Sequence, residues 1–302
     1  METINSLKPS LTATLPVLST TRYVINWMCS TDQARILHVF EPACNLINSK
    51  GEIISLVSPQ IGNGPFNAVI PVINFQDYLD EISTVRIDNT SISLGKLNIS
   101  FPQLSLWQPI PKWHRLLAMS KFLNSMINPL DELLLEESAK DSFARVAVQN
   151  SVAYEIPIKT AQVVQKTLAE MKSMILNNRL DDIAETAGRL AGLGGGLTPA
   201  GDDYLMGYMH GLWALLPSSR AETISGQIAA AAIPKTTSLS AAWLRASARG
   251  EAGESWHKLL SAITNSDLYT AIKSARQILP TGHSSGADAL GGFVFAIKNM
   301  AR

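Results

Sequence analysis

The feature that most constrains this chain is a change of period part-way along it. Up to about residue 110 the apolar residues fall in short runs broken by turns. Beyond it they recur at helical spacing. The runs at 36–40, 52–57, 68–73 and 84–87 have the length of strands, and Asn48-Ser-Lys-Gly51 supplies a turn between the first two. Ile92 and Leu94, then Leu97 and Ile99, bracket Gly95-Lys96, the pattern of a hairpin. Strands so spaced, with no long helix between them, predict an antiparallel sheet or small barrel over 34–113, ending at the proline-rich LWQPIPKW (106–113). Past that junction Val163, Val164, Thr167, Leu168, Met171, Met174 and Ile175 form one helical stripe. Leu180, Ile183, Ala187 and Leu190 form another, and further helices are expected at 221–232, 241–248, 259–263, 268–279 and 289–300. The expected class is α+β, with an all-α region over 114–302. Residues 1–33 read as an N-terminal arm, the first 22 being polar and Ser/Thr-rich.

Composition narrows the function. Of 302 residues, 46% are hydrophobic and 17% charged, enough apolar surface for a large core and for burial against partner subunits. Lys+Arg and Asp+Glu are equal at 25 each, so no basic excess exists to displace counterions from nucleic acid. The two cysteines, Cys29 and Cys44, match no metal knuckle or redox pair and read as reduced thiols of a cytoplasmic protein. The first residues lack a basic segment followed by an apolar one, so no signal peptide is expected. The longest apolar run, 204–216, is shorter than the ~20 residues a bilayer requires and reads as a buried helix.

The chemistry is expected in LGGGLTPAGDDYLMGY (193–208). The glycines follow a helical stripe rather than a strand, which argues against a dinucleotide fingerprint, and no Gly-Lys-Ser/Thr follows, which argues against a P-loop. Thr198 is a suitable N-cap and Pro199 a suitable first helical residue. Gly194, Gly195 and Gly196 just before them can turn several backbone N–H groups one way, making an anion nest reinforced by the helix dipole. The plainer account is a tight helix–loop–helix corner. Asp202 and Asp203 suit the first turn of a helix. As neighbours they diverge by about 100°, so they do not jointly chelate one metal, and one of them at most faces the loop. A Mg²⁺ bridging aspartate and phosphate is the alternative, and no cofactor is otherwise indicated.

Two companion segments share the format of glycine or hydroxyl residues ahead of an apolar helix. In KTTSLSAAWLR (235–245), Thr236, Thr237 and Ser240 offer more hydroxyls than one N-cap uses, and Arg245 suits a carboxylate or phosphate. In PTGHSSGADALGG (280–292), Ser285 and Asp288 read as a capping box. His283, beside Ser284 and Gly286, is the candidate proton donor. Gly207, Gly211, Gly291 and Gly292 lie inside expected helices, where close approach of another helix or a ligand would offset their cost.

These motifs, in this order, resemble the bacterial family that contains the AllH-type subunit of oxamate carbamoyltransferase. GLGGGLTPAGDD (192–203), TTSLS (236–240) with LR (244–245), and GHSSGAD (282–288) carry the resemblance. ACNLINSKGEIISL (43–56), with Asn45, and GNGPFNAVI (62–70) extend it to roughly 35–300. The chain departs from the pattern at Gly195, where the family often has proline, and at Ala200, where it often has a polar residue. The resemblance implies phosphorolysis of oxalurate to oxamate and carbamoyl phosphate in anaerobic allantoin (purine) breakdown, with FdrA-type and other subunits as partners. Phosphate is then expected at Gly194–Gly196 and Thr198. Thr236, Thr237 and Arg245 would hold a carboxylate or polarise the carbonyl, and Asp202 or Asp203 would accept ureido N–H. The rival reading is a non-catalytic scaffold or ligand-binding subunit acting with partners on another carbamoyl, ureido or acyl compound. A third, a Mg²⁺-dependent phosphotransferase, lacks an accompanying lysine or nucleotide loop.

Overall fold

The structure, a computed structural model, describes residues 13–80, 82–102, 105–148 and 155–301. It divides into two compact units, one ending at Gln108 and the other beginning at Pro109. The boundary therefore falls inside the proline-rich segment, a few residues before the expected 113.

The first unit carries two sheets. β3 (Ala34–Val39), β4 (Ala43–Asn48) and β5 (Ile53–Val57) form an antiparallel meander. The Asn48–Gly51 turn joins β4 to β5, with Asn48 Oδ1 accepting from Lys50 N and Glu52 N at 3.0 and 2.9 Å. β4 and β5 are buried on both faces, which is why they read as apolar runs rather than alternations. β6 (Asn67–Val69) then pairs with β5 in parallel, and β2 (Ser19–Thr20) closes that edge. In the second sheet β8 (Ser91–Leu94) and β9 (Leu97–Ser100) form the expected hairpin, flanked by β7 (Val85–Ile87) and β1 (Ala13–Pro16). β1 lies parallel to β9. The sheets are thus mixed rather than antiparallel, and among the described residues neither closes into a barrel.

Residues 13–33 are not an arm. Beyond the two strands they form helix α1 (Arg22–Cys29), capped by Thr21, which buries Val24, Trp27 and Met28. That i, i+3, i+4 stripe lies within a Ser/Thr-rich context, and composition outweighed periodicity in the sequence reading. Residues 1–12 of the expected arm lie outside the described residues.

The second unit is helical. Its elements are α2 (Ser120–Glu137), α3 (Phe143–Val148), α4 (Ile158–Leu176), α5 (Ile183–Ala187), α6 (Ala200–Leu215), α7 (Ser218–Ala232), α8 (Ser238–Ala248), α9 (Glu254–Thr264), α10 (Leu268–Arg276) and α11 (Ser285–Met300). The sequence reading missed α2, whose buried stripe is Leu123, Met126, Leu130, Leu133 and Leu134, with Pro129 inside the helix. At the centre, α6 and α11 run side by side in the same direction. Gly207 faces Ala289 and Gly211 faces Ala296, while Gly292 sits on the Tyr204 carbonyl. A Cβ on Gly207 would lie 1.6 Å from the Ala289 oxygen, so the glycines set the distance between the two backbones. Among the described residues no helix is long and apolar enough to cross a membrane.

Candidate functional site

Because α6 and α11 are parallel, their N-termini lie together. The Thr198 and Ser285 hydroxyls, 87 residues apart in sequence, are 3.0 Å from one another. The N-terminus of α8 joins them. Thr237 donates to the Leu197 carbonyl at 2.6 Å, and Thr236 donates to Asp202. The three motifs therefore converge, and the positive ends of three helix dipoles meet beneath the glycine loop.

The loop passes over the start of α6. Gly192, Gly194 and Gly196 have φ of 73°, 104° and 89°. At Gly194 a Cβ would also meet Ala200 N at 2.8 Å, whereas nothing lies within 4 Å of one at Gly195 or Gly196. All three of Gly194, Gly195 and Gly196 are exposed. Among the described residues the backbone N–H groups of Gly194, Gly195, Gly196, Leu197 and Thr198 have no hydrogen-bond acceptor. A run of unengaged donors at a helix N-terminus is what an anion site consists of.

Beneath the loop lie three buried carboxyls. Asp202 is 2% exposed and both its oxygens are engaged. Oδ1 accepts from Gly192 N at 3.0 Å and Oδ2 from Thr236. Burial raises its pKa, opposed by the donors Thr236, Gly192 and Ser240. Asp203 turns the other way, toward α11, as the angle between successive helix positions requires. It is 5% exposed and its Oδ2 has no hydrogen-bond partner. Burial pushes its pKa well up, and the like charges of Asp288 and Asp202 add to this, against the hydroxyls of Ser285 and Thr198. Asp288 is fully buried. Its Oδ1 accepts from Ser142 Oγ and Phe143 N, both at 2.6 Å, and from Ala144 N at 3.3 Å. Burial raises its pKa to about 7 against those donors and Ser284.

Several expected roles change. Asp288 closes no capping box on its own helix; it reaches across and caps α3, because its side chain points into the core rather than back along α11. Thr198 is not the N-cap of α6. Pro199 takes that position with φ −52° and ψ 140°, and α6 begins at Ala200 rather than at Pro199. Thr237 is the N-cap of α8, accepting from Ser240 N at 3.1 Å. Thr236 and Thr237 each donate to a protein acceptor, Asp202 and the Leu197 carbonyl. Arg245 is exposed in the last turn of α8, at the far end from the loop, where a cation suits the helix dipole. His283 is exposed, and its Nε2 lies 3.1 Å from Asp141 Oδ1. Gly286 is buried with its N–H on the Thr281 carbonyl. Ser284 precedes it at the start of α11. Asn45 belongs to the first unit, where it is buried in β4 and accepts from Ser55 Oγ at 2.6 Å.

Ser142, the donor that holds Asp288, was missed. It lies 146 residues away in sequence and carries no motif of its own. Among the described residues no group of three or more His, Cys, Asp or Glu side chains is gathered to hold a metal ion. A separate cleft of about 520 Å³ lies at the opposite end of α11, lined by Val146, Leu168, Lys172, Phe295 and Lys298 among others.

Fold and site together define a two-unit α+β protein whose helical unit gathers helix N-termini and buried acids beneath a glycine loop. Two family models match the chain. One, described as oxamate carbamoyltransferase subunit AllH, covers residues 190–297. The other, described as AllH family N-terminal domain, covers residues 16–106. The chain belongs to the AllH family, a family of carbamoyltransferase subunits. No solved structure matches it.

Proposed function

We propose that this chain is the phosphate-binding subunit of a carbamoyltransferase, converting oxalurate and phosphate to oxamate and carbamoyl phosphate together with FdrA-type and other partner subunits. The observation that carries the reading is the row of unengaged N–H groups from Gly194 to Thr198 above three converging helix N-termini. These donors suit the dianionic phosphate end of the ligand, and their fixed positions need no reorganisation as charge moves toward the transferring group. The free thiols Cys29 and Cys44 suit a reducing, cytoplasmic setting, with allantoin breakdown as the pathway.

Calorimetric titration of the full chain with inorganic phosphate tests this. Wild type should bind, and Gly196→Val should weaken binding by about ten-fold or more, since a β-branched residue disfavours positive φ and re-aims the loop. The substitution meets open space, so circular dichroism should be unchanged. No binding by wild type would favour a scaffold whose partners hold the ligand.

A further inference from the structure

We propose that Asp203, buried beneath the glycine loop with one carboxyl oxygen unpartnered, supplies the proton for the leaving amide nitrogen and passes it through the Ser285 hydroxyl. This rests on the reading of the loop as the phosphate site. Asp203 is the one of the three buried carboxyls placed for the task. Asp202 has both oxygens engaged, and Asp288 is turned to the N-terminus of α3. Asp203, like Asp288, keeps a buried Oδ2 without a partner, but it is Asp203 that the Ser285 and Thr198 hydroxyls at the helix N-termini act on. The groups that act on it are Ser285 on α11, Thr198 at the loop, and the carboxyls Asp288 and Asp202. Tyr204, next along α6, is a buried phenol whose field neighbours include Asp288, Tyr208 and Asp131. Burial and the neighbouring carboxyls Asp288 and Asp202 make a second negative charge at Asp203 unfavourable, which favours its protonated form. Ser285 and Thr198, whose hydroxyls are 3.0 Å apart, stand at the junction of the two helix N-termini. An ionised Asp203 would repel an anion bound above it; a neutral one does not.

The step balances. An oxygen of hydrogen phosphate attacks the carbamoyl carbon, the C–N bond breaks, and its electron pair goes to the amide nitrogen. That nitrogen takes the Ser285 proton, and Ser285 takes the Asp203 proton. Asp203, now a carboxylate beside Asp288, recovers a proton from the hydrogen phosphate that attacked. The chain ends as it began.

Two measurements test the relay. In the reconstituted complex, with carbamoyl phosphate formation followed from oxalurate and phosphate, Asp203→Asn should lower kcat by about 100-fold or more. Its KM for phosphate should stay within about two-fold, because the loop donors are untouched. The alkaline fall of kcat in wild type should vanish in the variant. Ser285→Ala, which leaves the carboxyl in place, should also lower kcat, by about ten-fold or more. In the isolated full chain at pH 7, infrared spectra should contain the carbonyl stretch of a buried protonated carboxyl that Asp203→Asn removes and Ser285→Ala retains. If phosphate binds and Asp203→Asn turns over at the wild-type rate, or the Asp203 acid band is missing, the relay alone is overturned. If the wild-type chain binds no phosphate, the loop reading falls and takes the relay with it.

Discussion

Replacing Gly207 with alanine is expected to lower the stability of the helical unit by about 3 kcal/mol or more, read as a fall in the denaturant midpoint at unchanged slope. Two effects compete. Alanine is the better helix former by about 1 kcal/mol. Against it, the new Cβ would lie 1.6 Å from the Ala289 carbonyl oxygen, a backbone atom inside α11 that moves only if the helices separate. Separation would also loosen Gly211 on Ala296 and Gly292 on Tyr204, so the clash wins. Gly226 in α7 is the control, since a Cβ there meets nothing within 4 Å. Gly226→Ala should leave stability unchanged or raise it by up to about 1 kcal/mol. A Gly207→Ala variant as stable as wild type would contradict the close parallel packing that brings the helix N-termini together.

The second large effect is expected at Asp288. Asp288→Ala removes the acceptor of Ser142, Phe143 N and Ala144 N in a fully buried place, and should cost about 3 kcal/mol, within the range for orphaned buried donors and a lost cap. Asp288→Asn keeps an acceptor oxygen and should cost less. The pair also reports on protonation. The Asp288 pKa is raised from 3.8 to about 7 in the fold. The folded chain therefore holds a proton that the unfolded chain has released between those values. The associated stability is fully present below pH 3.8 and is lost as pH rises through about 7. It amounts to about 1.4 kcal/mol for each unit of displacement. The stability of wild type relative to Asp288→Asn should accordingly fall from pH 4 to pH 7 and then level off. A difference that is flat across that range would contradict the raised value.

Much of this architecture was legible in the sequence. The change of period separates the sheets from the helices because strand and helix pleat side chains at different intervals. The Gly95-Lys96 hairpin and the Asn48–Gly51 turn follow from turn chemistry that is local. The glycines inside α6 and α11 announced a close contact without naming its partner. What the sequence hides is long-range. Nothing local shows that Asp288 caps a helix that begins 145 residues away, or that Thr236 and Thr237 bond to Asp202 and Leu197. Local rules pointed instead to a capping box at Ser285–Asp288, since that spacing is common at helix starts. His283 stands out in sequence for its place between Gly282 and Ser284, but its neighbour Asp141, 3.1 Å from its Nε2, is 142 residues away. The parallel pairings of β1 with β9 and β5 with β6 need crossovers that alternation does not encode.

Backbone amide spectra of the full, isotope-labelled chain during titration with inorganic phosphate test the central claim most directly. The account predicts that the amides of Gly194, Gly195, Gly196, Leu197 and Thr198 shift together and saturate, and that sulfate competes at the same five positions. It also predicts that amides lining the cleft at the other end of α11, such as Lys172 and Lys298, stay in place. Shifts confined to that cleft, or no saturable change from Gly194 to Thr198, would contradict it.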